Sequence, residues 1–246
     1  MNMRLAIISD IHGNLPALEA ALASSAAQGV DQYVCLGDVA VFGPQPHKCV
    51  ARLQTLNCRF IMGNTDAYAL EPYPLPHRDD QSTLFNELES WSAAQLTDAD
   101  RDFIRGFAAT QTIRLDGEMA LLAFHGSPRS FNDAIRPETP RTTLDNWFSP
   151  PLPALLAGGH QHVQFCQPYQ RSIFLNPGSV GMPYASSGRS HDVNPSYAEF
   201  AIITAEQGHL DISLQRATYN LADLKKAVAA SRMPAAAWWL ADWVQA

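Results

Sequence analysis

Five short apolar runs each stop at a side chain able to hold a metal ion, and this recurrence constrains the chain more than any other feature. Leu5–Ile8 leads to Asp10 and His12, Tyr33–Leu36 to Asp38, Arg59–Met62 to Asn64, Met119–Phe124 to His125, and Leu155–Ala157 to His160 and His162. Runs of this length separated by helix-like segments read as buried strands of a mainly parallel sheet. The carboxyl ends of such strands open into one crevice. Asp10 and His12 stand two positions apart, which on extended backbone points both side chains to the same side. Glycine precedes Asp38, Asn64 and His160, and is expected to give the backbone room to turn there.

Taken in order, Leu15 to Gly29 reads as a helix with Pro16 in its first turn, and a second helix is expected over Lys48 to Leu56. From Ala67 to Gly106 the alternation breaks. Pro72, Pro74 and Pro76 form a turning segment; Leu84, Leu88 and Trp91 follow at helical spacing, and another helix starts at Thr97 and Asp98. This helical insertion, at about 67–106, either covers the sheet or overhangs a site. The second half carries a hairpin of Gln111–Leu115 with Met119–Phe124, a helix near Thr143 to Phe148, and strands at Val163–Cys166 and Ser172–Leu175. A last hairpin of Tyr197–Ile203 with Leu210–Leu214 precedes helices at Leu221–Ala230 and Ala235–Val244. The expected layout is one domain over 1–246, with two sheets face to face and helices outside.

The chain has 246 residues, 46% hydrophobic and 17% charged, enough to bury a large core. A net charge of −7 argues against a broad nucleic-acid surface. No apolar run reaches the roughly 18 residues of a membrane span, and no signal-peptide layout is seen, so a cytoplasmic protein is expected. Cys35, Cys49, Cys58 and Cys166 lack metal-binding spacing and read as reduced, mostly buried thiols. His47, His77, His191 and His209 read as surface residues. Trp238, Trp239 and Trp243 read as core, with homo-oligomer contact through a Trp-rich terminal helix as the alternative.

Two carboxylates, four imidazoles and one carboxamide suffice for two divalent ions sharing a carboxylate. Two such ions with Asp10 and Asp38 leave a site of about +2, which would attract an anion such as a small phosphate ester. The mixed donors suit Mn, Fe, Zn or Ni.

Asp10-Ile11-His12-Gly13-Asn14, Gly37-Asp38, Gly63-Asn64, His125-Gly126 and Gly159-His160-Gln161-His162 resemble, in order, the five signature blocks of calcineurin-like metallophosphoesterases. The compact bacterial and archaeal phosphodiesterase branch is the nearest match in type. The resemblance implies an α/β fold, a four-layer αββα sandwich of two mixed sheets flanked by helices. It implies that Asp10, His12 and His162 hold one ion, that Asn64, His125 and His160 hold the other, and that Asp38 bridges them. Asp38, Asn64 and His125 would then serve catalysis, with a metal-bridging hydroxide attacking phosphorus, and Asn14, Thr65 and Gly126 would meet the substrate. The Asn176–Gly181 turn resembles a further block and is expected to support the site.

Thr65 departs from the pattern of many phosphatases of the superfamily, which carry a leaving-group histidine there. A threonine hydroxyl is no general acid near neutral pH. The expected enzyme therefore handles good leaving groups, or takes a proton from Asp66 or His191. Phosphodiesterase activity is the leading expectation, with phosphomonoesterase activity and a catalytically silent binding scaffold as alternatives.

Overall fold

The computed structural model describes residues 3–30, 32–73, 80–186 and 192–246. Its elements are β1 (Met3–Ile8), α1 (Leu15–Ala27), β2 (Gln32–Cys35), α2 (Pro46–Leu53), β3 (Cys58–Phe60), α3 (Asn64–Leu70), α4 (Asp80–Ala94), α5 (Asp98–Arg105), β4 (Gln111–Arg114), β5 (Ala120–Ala123), α6 (Arg141–Trp147), β6 (Leu155–Ala157), β7 (Phe165–Tyr169), β8 (Ser172–Asn176), β9 (Ala185–Ser186), β10 (Asp192–Pro195), β11 (Tyr197–Glu206), β12 (His209–Thr218), α7 (Leu221–Ser231), α8 (Ala236–Leu240) and β13 (Trp243–Val244).

Two five-stranded mixed sheets form the centre, in the orders β12-β11-β1-β2-β3 and β4-β5-β6-β8-β7. The period-two alternation of β1 explains why they stack. Leu5 and Ile7 join Leu121, Ala123, Leu155 and Leu175 between the sheets, while Ala6 and Ile8 face α1 and α2 through Leu18, Leu22 and Val50. A third cluster, with Phe124, Phe148, Leu156 and Phe174, packs α6 on the far face of the second sheet. The layers are therefore helix, sheet, sheet, helix, as the resemblance implied.

The first sheet is less parallel than the chain order predicts. β1, β2 and β3 run parallel, but the last hairpin returns to it, with β11 antiparallel to β1 from Met3↔Ala205 to Ile7↔Ala201. The terminal helix stops at Leu240, and Trp243 instead pairs in β13 with Asn194. Trp239 and Trp243 are buried against each other, rings 5.1 Å apart, which supports the core reading. Cys166, expected inside, is exposed because it faces out from β7. His47 and His209 are exposed as expected; His77 and His191 lie outside the described residues. Among the described residues no helix is long and apolar enough to cross a membrane.

Candidate metal centre

The segments that follow β1, β2, β3, β5 and β6 carry the seven candidate ligands, six in loops and Asn64 as the first residue of α3. The expected geometry at Asp10 and His12 is corrected here. β1 ends at Ile8, and Asp10 and His12 adopt φ of 55° and 46°, so left-handed backbone aims them, not pleat alternation. Asp38, His160 and His162 are also left-handed, at φ of 56°, 69° and 53°. Such conformations persist only where neighbours over-determine them. Here Asp10 N–H donates to Gly37 O, His12 N–H to Asp38 O and Gly13 N–H to Val39 O, which straps the loop after β1 to the loop after β2. On its other side Val180 N–H donates to Ser9 O, while Gly181 N–H and the Ser179 hydroxyl donate to Asp10 O. The Asn176 amide donates to Gly159 O, so this turn grips two ligand loops at once.

Of the three glycines before the ligands, Gly37 turns the backbone as expected, at φ of 103°, but the other two act differently. Gly63 and Gly159 are not at positive φ; a Cβ on Gly63 would overlap the Asp38 carboxylate, and one on Gly159 would come within 2.8 Å of Asp10 Oδ2. They clear space for the two acids.

The side chains gather in two groups, Asp10 with His12 and His162, and Asp38 with His125 and His160. His12, His125 and His162 each donate Nδ1–H to a carbonyl, of Val41 at 2.8 Å, Leu36 at 2.7 Å and Met182 at 2.8 Å. That leaves every Nε2 as the inward atom. His12 Nε2 and His162 Nε2 then stand 3.0 Å apart, and His162 Nε2 is 3.3 Å from Asp10 Oδ1, a fully buried oxygen with no hydrogen-bond partner. Lone pairs converging at that range repel unless a cation stands among them. In the second group His125 Nε2 lies 3.0 Å from Asn64 Oδ1 and 3.4 Å from Asp38 Oδ2. Asp38 Oδ2 also lies 3.8 Å from His12 Nε2, so one carboxylate oxygen is shared by the two groups. The donor set fits two cations.

Without a cation, the same acids and imidazoles offset one another's charge. Burial works against charge on Asp38, yet His125 and His12 hold its carboxyl well below the usual range. Burial likewise opposes ionised Asp10, and His162 outweighs it. His125, despite its burial, is carried up to about 9 by Asp38. Burial and its neighbour His125 lower His160.

Of the expected substrate residues, Thr65 lines the cavity above the ligands, with a buried hydroxyl that has no partner. Asn14 does not reach it. Its Oδ1 caps α1 by accepting from Ala17 N–H, and its amide donates to Gly181 O and the Tyr219 hydroxyl, so its bonding capacity serves the frame. Gly126 is buried against the carbonyls of Phe131 and Asp133 and is absent from the cavity wall. Asp66 is no proton donor either. It is fully buried, and its two oxygens accept from the N–H groups of Asp38, Val39 and Gly63. It fixes the loop carrying Asp38 to the loop carrying Asn64, a role its place in the first turn of α3 could have signalled.

Sequence reasoning placed a helix at α4 but did not single out its cavity-facing residues. Phe85 and Glu89 from that helix, with Phe42 and Tyr184, wall the cavity of about 180 Å³ over the ligands. Burial, helped by Asp38, pushes Glu89 up to about 7. A helical spacing of four between Phe85 and Glu89 was the available signal.

A profile of the calcineurin-like phosphoesterase superfamily domain matches residues 3–206. The chain belongs to this superfamily. A metallophosphoesterase from Sphaerobacter thermophilus is similar in structure, with a TM-score of 0.70 at 24% identity over 98% of each chain. A protein from Pyrococcus horikoshii OT3 reaches a TM-score of 0.73 at 18% identity over 95% of each chain. In sequence, a Methanocaldococcus jannaschii protein is 24% identical over 94% of this chain and 93% of its own length. Membership makes this member of the superfamily a metal-dependent phosphoester hydrolase by family, with two clusters suited to the metal.

Proposed function

We propose that the protein is a phosphodiesterase requiring two divalent cations, one held by Asp10, His12 and His162, the other by Asn64, His125 and His160, with Asp38 shared. The observation that carries this reading is the Asp38 Oδ2 atom, which faces both groups, at 3.8 Å from His12 and 3.4 Å from His125. Bound there, two cations of Mn, Fe, Zn or Ni type supply Lewis acidity to the phosphoryl oxygens and lower the pKa of water. The chain itself excludes bulk water with its buried floor, holds the three inward Nε2 atoms by carbonyl bonds, and turns the Thr65 hydroxyl toward the phosphoryl group. The whole length acts as one domain, in which α4 and α5 form an insertion whose first helix overhangs the site.

Thr65 supports the diester assignment, because the compact phosphodiesterase branch that the chain resembles often lacks the leaving-group histidine. With Asp66 bound to backbone, Thr65 offers no proton itself, and a substrate whose group leaves without full protonation suits the site best; Glu89, on the wall of the same cavity and pushed up to about 7, is a candidate donor for poorer leaving groups. Turnover of bis(4-nitrophenyl) phosphate and of 4-nitrophenyl phosphate by the Mn²⁺-loaded protein tests the reading. The diester is expected to turn over faster. Preference for the monoester would make it a phosphomonoesterase, and no turnover of either would make it a scaffold.

A further inference from the structure

The cavity has an aromatic side that phosphoryl chemistry does not need. Five large apolar side chains are exposed among the described residues, and two of them, Phe85 at 38% and Tyr184 at 45%, line this single cavity. Both rings are held in place. Tyr184 stacks on His162, centroids 5.3 Å apart and planes within 16°; Phe85 lies against Phe42 at 4.8 Å and has Trp238 edge-on at 5.2 Å. Rings fixed on one face and wetted elsewhere are stacking platforms. Glu89 is four residues along α4 from Phe85, so the two share a helix face. Its Oε2 is buried and has no hydrogen-bond partner, which is a cost unless a ligand donates to it.

We propose that this side of the cavity is a subsite for a flat heteroaromatic group carrying an N–H donor, a nucleobase-like substituent esterified to the phosphoryl group bound at the ligands. The inference rests on the phosphoester reading above. A volume of about 180 Å³ is small for an enclosed ligand pocket, so it takes a phosphoryl group and part of one ring, with the remainder of the substrate outside. A second phosphate is disfavoured on this wall, because the Glu89 carboxyl group is part of it.

The test compares two ligands that share a phosphomonoester and differ by the base, AMP and ribose 5-phosphate, by calorimetric titration of the full Mn²⁺-loaded chain. AMP is expected to bind about tenfold or more tightly than ribose 5-phosphate, the scale of one stacked base. That ratio should fall toward one in the Phe85→Ala/Tyr184→Ala double variant and fall in part in Glu89→Met, which keeps the length but accepts no hydrogen bond. Phe85→Leu/Tyr184→Leu keeps apolar bulk without ring faces and should lower the ratio as well, which separates stacking from a packing defect. Equal affinities in the unaltered protein, or a ratio that survives the double variants, overturns the subsite while ribose 5-phosphate binding leaves the phosphoester reading standing. Binding of neither ligand sinks both.

Discussion

On the floor of the cavity, five of the seven candidate ligands sit at positive φ, and their loops are strapped by backbone N–H donors on both sides. On its wall, α4 and the segment around Tyr184 present ring faces held by ring contacts. Left-handed backbone at non-glycine residues costs on the order of 1 kcal/mol or more each. The floor offsets that cost with hydrogen bonds that allow each side chain one position. The wall has fewer such constraints and accommodates a ligand by surface contact. Position is therefore set below and selectivity above, and substitutions in the two regions should fail in different ways.

The largest expected effect is at the shared oxygen. Asp38→Asn replaces the one carboxylate facing both groups and should lower turnover by on the order of 10³-fold, with metal content falling below two ions per chain by elemental analysis. Circular dichroism should remain native, since an amide oxygen can still accept from Thr65 N–H. Two ions retained with normal turnover would show that Asp38 is not shared.

Asp66→Asn tests whether the floor depends on residues that touch neither metal nor substrate. Three N–H donors converge on that carboxylate, and an amide must turn its own donor toward one of them. Metal affinity should weaken about 10- to 100-fold in competition with a chelator, as for other residues that orient ligands. An unchanged affinity would return Asp66 to a purely local helix role.

These two residues mark what the amino-acid sequence discloses. Asp38 was legible because a carboxylate at a buried strand end is expensive without a partner, so residue type alone carried the inference. Asp66 was read as a proton source because its chemistry allowed it; two of its three backbone partners lie 28 and 27 residues away, which only the fold brings together. The same limit explains the left-handed turn at Asp10, the return of β11 to the first sheet, and the commitment of Asn14 to α1 and Tyr219. The four-layer order was legible from the alternation of runs. Phe85 and Glu89 were not, because an exposed aromatic and an acid on a helix look like ordinary surface until α4 is placed over the ligands.

Thr65 stands where floor meets wall, and Thr65→His sharpens the boundary. A histidine there should raise turnover of diesters with alkoxide leaving groups by about 10- to 100-fold, the lower reach of general acid catalysis, and leave 4-nitrophenyl esters nearly unchanged. An equal effect on both substrate types would place the deficit elsewhere than in proton delivery.

The smallest effect concerns what the floor rests on. Glu199 is 1% exposed, pairs with Arg216 at 2.9 Å and donates its N–H to Ser179 O, beneath the turn that grips the Asp10 loop. Burial outweighs the Arg216 contact and pushes its carboxyl up to about 7 from 4.5. The folded protein therefore binds a proton between those values that the unfolded chain has released. The associated stability is fully present below about 4.5 and is lost as pH rises through 7, amounting to at most about 3 kcal/mol. Glu199→Gln cannot ionise, so urea unfolding of the variant at pH 5 and pH 8 should show less decline than the unaltered protein by up to that amount. Identical declines would mean that Glu199 stays ionised through the range and that its pairing with Arg216, not a held proton, supports the turn.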